Sequence, residues 1–166
     1  MIIYLVGYMG VGKTTVGQKL AQKLRYPFLD TDDIICSLEG KNISTVFSDM
    51  GEPYFRALET RVLSGIMHLT RAVVATGGGM ACSDENQRII SQSGKSIYLK
   101  ASPNFLAERL QEFSDRPIIE KHKDDLTTFI SNHLQARSGY YDKASYIVDA
   151  EQPIEDIVDI IINQLG

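Results

Sequence analysis

Apolar positions along this chain recur with two alternating periods, and that alternation orders the elements. Short apolar runs at Ile2–Val6, Pro27–Leu29, Ala72–Ala75, Ser96–Leu99 and Tyr146–Val148 have the length and branched content of buried strands. Between them, apolar residues repeat every three or four positions near 13–25, 53–69, 84–93, 103–112, 124–138 and 153–165. That spacing predicts amphipathic helices. Ser102-Pro103 reads as an N-cap followed by proline at the first helical position, and Glu52-Pro53 opens a helix in a similar way. Strands alternating with helices predict an α/β fold with a parallel sheet covered on both faces. Ligands of such sheets bind beyond the carboxyl ends of the strands, so chemistry is expected just after the first three runs.

The first run ends in Gly7-Tyr8-Met9-Gly10-Val11-Gly12-Lys13-Thr14, which satisfies G-x-x-x-x-G-K-[ST] in full. A helix with Val16, Leu20 and Leu24 on one face follows from Thr15. Glycines let backbone N–H groups wrap a phosphate chain, and the helix N-terminus adds partial positive charge at the same point. Lys13 can reach the β- and γ-phosphates, and the Thr14 hydroxyl can ligate Mg²⁺. The motif points to a nucleoside triphosphate without saying what is done with it.

The next two strands are followed by three suggestive segments. Asp30 and Asp32 lie two residues apart; on an extended chain they point the same way, one toward a metal and one toward an acceptor. An aspartate-rich turn capping the next helix is the plainer alternative. Arg56 and Glu59 are neighbours at i and i+3 on a helix, where a surface ion pair is the plainer alternative. Gly77-Gly78-Gly79 is expensive in chain entropy, which suggests a backbone that must approach a ligand closely rather than a merely flexible turn.

Composition narrows the classes. The 166 residues fit one domain. The formal net charge is −4 and no basic run occurs, which argues against nucleic acid. An anionic substrate would then need cations concentrated at the site against an acidic background. No apolar run reaches membrane-spanning length, and the opening apolar run reads as a strand and not a signal peptide. Cys36 and Cys82 share no metal-ligand spacing, so reduced thiols in a cytoplasmic protein are expected. His68, His122 and His133 are scattered and are assigned no chemistry. No heptad or exposed apolar stripe calls for a dimer, so a monomer is expected.

Taken together, the loop Gly7–Thr14, Asp30-Thr31-Asp32, Gly51-Glu52 with Phe55-Arg56 and Glu59, Gly77-Gly78-Gly79, Arg116-Pro117, and Arg137 before Tyr140-Tyr141 resemble the shikimate kinase family over essentially the whole chain. The resemblance implies transfer of the γ-phosphoryl of ATP to the 3-hydroxyl of shikimate, on the route to chorismate and the aromatic amino acids. It implies a three-layer α/β/α fold with a five-stranded parallel sheet in the order 2-3-1-4-5. A substrate-binding segment would run from about Asp33 to Glu59 and a lid from about Glu112 to Lys123. Gly10, Val11, Gly12, Lys13, Thr14 and Thr15 would hold the nucleotide phosphates, with Arg109 and Pro153 sandwiching the adenine. Asp30 would hold Mg²⁺ with Thr14. Arg56 and Arg137 would clamp the shikimate carboxylate, as guanidinium forks do well, with Glu59 orienting Arg56. Asp32 would take the diol and serve as base, and the backbone of Gly77, Gly78 and Gly79 would complete the cradle. Lys13, Asp32 and Arg116 would carry catalysis, Arg116 arriving with the lid on the transferring phosphoryl.

Some positions depart from the commonest pattern of that family. Thr14 stands where serine is usual, and Glu151-Gln152-Pro153 stands where basic residues are common. A gluconate kinase on the same scaffold would need a different acceptor set. A GTPase-like switch would carry a guanine signature that is not present.

Overall fold

The computed structural model describes residues 1–112 and 125–166. Its five strands, β1 (Ile2–Val6), β2 (Phe28–Asp30), β3 (Ala72–Ala75), β4 (Gly94–Lys100) and β5 (Tyr146–Asp149), form one parallel sheet in the order β2-β3-β1-β4-β5. β1 is central and wholly buried, with Leu5 beside Ala75 on one side and Ile97 on the other. The order matches the expectation.

Because strand side chains alternate between faces, the sheet feeds two cores. Ile3, Leu5, Val73, Ile97 and Val148 face α1 (Lys13–Leu24), α6 (Pro103–Gln111) and α8 (Ile154–Leu165). Ile2, Tyr4, Val6, Val74 and Tyr98 face α2 (Thr31–Glu39), α3 (Ile43–Met50), α4 (Glu52–Ile66) and α5 (Asp84–Ser93). The remaining long helix, α7 (Leu126–Tyr141), serves both: Leu126 and Ile130 belong to the first cluster and Tyr141 to the second.

The helical periods near 31–50 went unread in the sequence, yet α2 and α3 are there. Both are short, and each buries one or two residues, Thr31 and Ile35 from α2 and Val46 from α3. Local caps start them. The Asp30 carboxylate accepts from the Asp32 N–H at 3.0 Å, and the Asn42 side chain accepts from the Thr45 N–H at 2.8 Å. The Ser102 cap of α6 and the proline near the start of α4 are as expected. Strand β4 begins two residues before the expected run, at Gly94, where an added Cβ would lie 2.3 Å from the Ile2 carbonyl oxygen.

The parallel sheet brings three segments to one edge: the loop after β1, Asp30 at the end of β2, and the glycines after β3. The lid expected at 112–123 and its Arg116 fall, beyond Glu112, outside the described residues.

Candidate active site

The loop after β1 turns sharply because its glycines adopt a conformation that L side chains rarely take. Gly7, Gly10 and Gly12 have φ of 147°, 79° and 108°. Gly12 caps α1 without a side chain, which leaves the first turn's N–H groups and the helix dipole aimed into the loop. Lys13 is buried and its Nζ donates to the carbonyls of Gly7 (2.7 Å) and Tyr8 (2.9 Å). Val11 is buried among core side chains, so it can offer a ligand only its backbone. Thr15 is exposed on α1. Arg109 of α6 donates from Nε to the Gly10 carbonyl at 2.8 Å, and Pro153 caps α8 just past β5, on the same carboxyl edge.

The Thr14 hydroxyl donates to Asp30 Oδ2 at 2.8 Å. A hydroxyl and a carboxylate side by side are hard oxygen donors of the kind Mg²⁺ takes, together with water and phosphate oxygens. Among the described residues no cluster of three or more His, Cys, Asp or Glu could hold a metal alone.

The expectation that Asp30 and Asp32 point the same way along a strand is corrected. Asp30 ends β2, but Asp32 lies in the first turn of α2, so the two carboxylates diverge. Asp30 both caps α2 and meets Thr14. Asp32 Oδ1 approaches the glycine turn, 2.8 Å from where a Cβ on Gly77 would sit.

That turn is crowded rather than flexible. A Cβ on Gly78 would lie 3.2 Å from the Met9 nitrogen, and one on Gly79 only 2.5 Å from Arg56 Nη1. None of the three has a positive φ, so glycine is needed here for room. The turn is also fastened. Asn86, buried at the head of α5, donates to the Met80 carbonyl (2.8 Å) and accepts from Thr60 Oγ1 (2.8 Å). Gln87 donates to the carbonyls of Ala81 (2.7 Å) and Tyr140 (3.1 Å). Tyr141 donates to the Gly78 carbonyl at 2.5 Å.

Beside the turn opens a cleft of about 670 Å³ whose walls include Arg56, Glu59, Thr60, Gly79, Cys82 and Arg137. Arg56 and Glu59 are no surface pair. Glu59 is fully buried and accepts from Arg56 Nη1 at 2.7 Å. Burial pushes the Glu59 carboxyl above its usual range, opposed by Arg56. Burial lowers the affinity of Arg56 for its proton, but Glu59 and then Glu52 more than offset it. The second oxygen of Glu59, Oε1, has no hydrogen-bond partner among the described residues, and a buried acceptor left so is costly. Burial likewise holds the Cys82 thiol up, partly countered by Arg137.

Tyr8, His133, Tyr141, Asn86 and Gln87 were not picked out as a group from the sequence. The spacing of His133, Arg137 and Tyr141, each four residues from the next, was the available sign that one helix face serves the site.

The phosphate loop after β1 and a cleft lined by Arg56, Glu59 and Arg137 lie at the carboxyl edge of the sheet, and the fold with its loop motif is that of a P-loop kinase. The family model for shikimate kinase matches residues 9–166. A shikimate kinase of Thermodesulfovibrio yellowstonii is 37% identical over 163 residues, covering 98% of this chain and 93% of that one. The chain belongs to the shikimate kinase family. A shikimate kinase of Acinetobacter baumannii, solved in complex with shikimate, superposes with a TM-score of 0.92 at 32% identity, over 99% of this chain and 92% of that one. A gluconokinase of Sinorhizobium meliloti shares the fold, at a TM-score of 0.60 and 21% identity over 98% of this chain and 90% of that one.

Proposed function

We propose that this chain transfers the γ-phosphoryl group of ATP to the 3-hydroxyl of shikimate, giving shikimate 3-phosphate and ADP, a step toward chorismate and the aromatic amino acids. One observation carries the reading: Arg56 and Arg137, from helices far apart in sequence, line one cleft beside the glycine turn that Asp32 approaches. Two guanidinium forks suit a carboxylate, and a carboxylate beside them suits a diol and can receive the proton of the attacking hydroxyl. Lys13 would meet the charge developing on the transferred group. Thr14 and Asp30 would hold Mg²⁺, which would offset the negative charge of the phosphates. Arg109, at the mouth of the phosphate loop, and Pro153 would flank the adenine. Residues 1–166 act as one kinase domain, with the acceptor segment from about 33 to 59 formed by α2, α3 and the start of α4.

The test is ADP release with Mg-ATP and, separately, shikimate, quinate and gluconate. Shikimate should turn over far faster than either alternative, and Lys13→Ala should reduce that turnover by on the order of 10²–10³-fold. Faster turnover of gluconate, or near-wild-type activity in Lys13→Ala, would overturn the assignment.

A further inference from the structure

The phosphate loop and the acceptor cleft are joined by a contact that neither the loop motif nor the clamp requires. Tyr8 is a variable position of the loop, yet its side chain is 1% exposed. Its hydroxyl shares a 2.8 Å hydrogen bond with His133 Nδ1, and the two rings meet edge to face with centroids 5.3 Å apart. His133 in turn packs on Phe129, one turn back along α7, at 5.4 Å. One turn forward, the Arg137 guanidinium lies 5.8 Å from the centroid of the Tyr8 ring, within the range of a cation–π contact. Its Nη1 is 3.5 Å from the Tyr141 hydroxyl, which itself holds the Gly78 carbonyl. One face of α7 thus runs from the phosphate loop to the glycine turn, with Arg137 in the middle.

We propose that Tyr8 and His133 are positioning residues for Arg137: the hydrogen bond fixes the Tyr8 ring, and the ring fixes the guanidinium that faces the acceptor. This rests on the reading of Arg137 as a clamp on the acceptor's carboxylate. An unheld arginine has many rotamers, and ordering it on binding costs affinity for the group it receives. The ring and the imidazole do that ordering beforehand, from the nucleotide side of the site. The acceptor clamp is therefore built in part on the phosphate loop, through the Tyr8 ring and its partner His133 on α7.

Steady-state kinetics with varied shikimate and varied ATP test this. His133→Leu leaves the loop sequence intact and should raise the Michaelis constant for shikimate by about three- to tenfold, with that for ATP changed less than about twofold. Tyr8→Phe, which keeps the ring but not the hydroxyl, should raise it by a similar factor, and the double variant by no more than the larger single effect, because both break one link. His133→Gln, which can still pair with the hydroxyl, should recover most of the loss. Arg137→Lys in the same assay separates the two readings. If it leaves the shikimate constant unchanged, the clamp itself is wrong. If it raises that constant while the Tyr8 and His133 variants, folded by thermal melting, do not, the clamp stands and the positioning is refuted. Equal rises for ATP and shikimate in His133→Leu would also refute it.

Discussion

Two glycine-rich loops meet at this site, and they need glycine for different reasons. In the loop after β1 the requirement is conformational: Gly12 has φ of 108°, and the nearest atom to an added Cβ is an Arg109 nitrogen at 3.7 Å. In the turn after β3 it is steric. Gly79 has no positive φ, but an added Cβ would fall 2.5 Å from Arg56 Nη1. One loop spends glycine on backbone shape so that its own N–H groups converge. The other spends it on space, so that side chains of α2 and α4 can close over it. Identical composition thus hides opposite designs, and substitutions should tell them apart.

The largest expected effect is at Gly12. Alanine there meets no wall, but it strains the backbone by about 1–3 kcal/mol and misplaces the N–H groups around the phosphates. Gly12→Ala should reduce kcat/KM for ATP by on the order of 10²-fold and leave calorimetric shikimate binding without nucleotide nearly intact. Gly79→Ala should do the reverse. Its backbone suits alanine, but displacing Arg56 weakens its pair with the buried Glu59, so stability should fall by about 1–3 kcal/mol while the shikimate Michaelis constant rises roughly tenfold. A loss of ATP affinity in Gly79→Ala equal to that in Gly12→Ala would break the contrast.

A last contrast probes the strut between the loops. Burial, and then the positive charges of Arg137 and Arg56, lower the His133 pKa from 6.5 to about 4. The unfolded chain therefore binds this proton more readily than the folded one. The stability tied to neutral His133 is present above about pH 6.5 and is lost as pH falls toward 4. The loss is at most about 3 kcal/mol, lessened by the solvent that reaches a partly buried ring. Urea unfolding at pH 7 and pH 4.5 should show a smaller difference in His133→Gln than in the parent.

Much of this was legible along the chain. The strands and the phosphate loop follow from local pattern and from a motif with a strict spacing, while the strand order was implied only by the family resemblance. The short helices α2 and α3 were not legible, because caps and one or two buried residues leave no periodic stripe. The divergence of Asp30 and Asp32 was hidden by the same gap: the helix begins between them. The reason for three glycines was also out of reach, since the crowding comes from Asp32, Met9 and Arg56. Tyr8 and His133 are 125 residues apart, and no local pattern links them.

Helix α7 has a consequence in dynamics. It is rooted in both hydrophobic clusters, through Ile130 on one side and Tyr141 on the other, so it cannot peel away without opening both. Amides held by such buried anchors exchange more slowly than those of exposed loops. Arg137, the proposed acceptor clamp, stands between those two anchors, where slow exchange is expected.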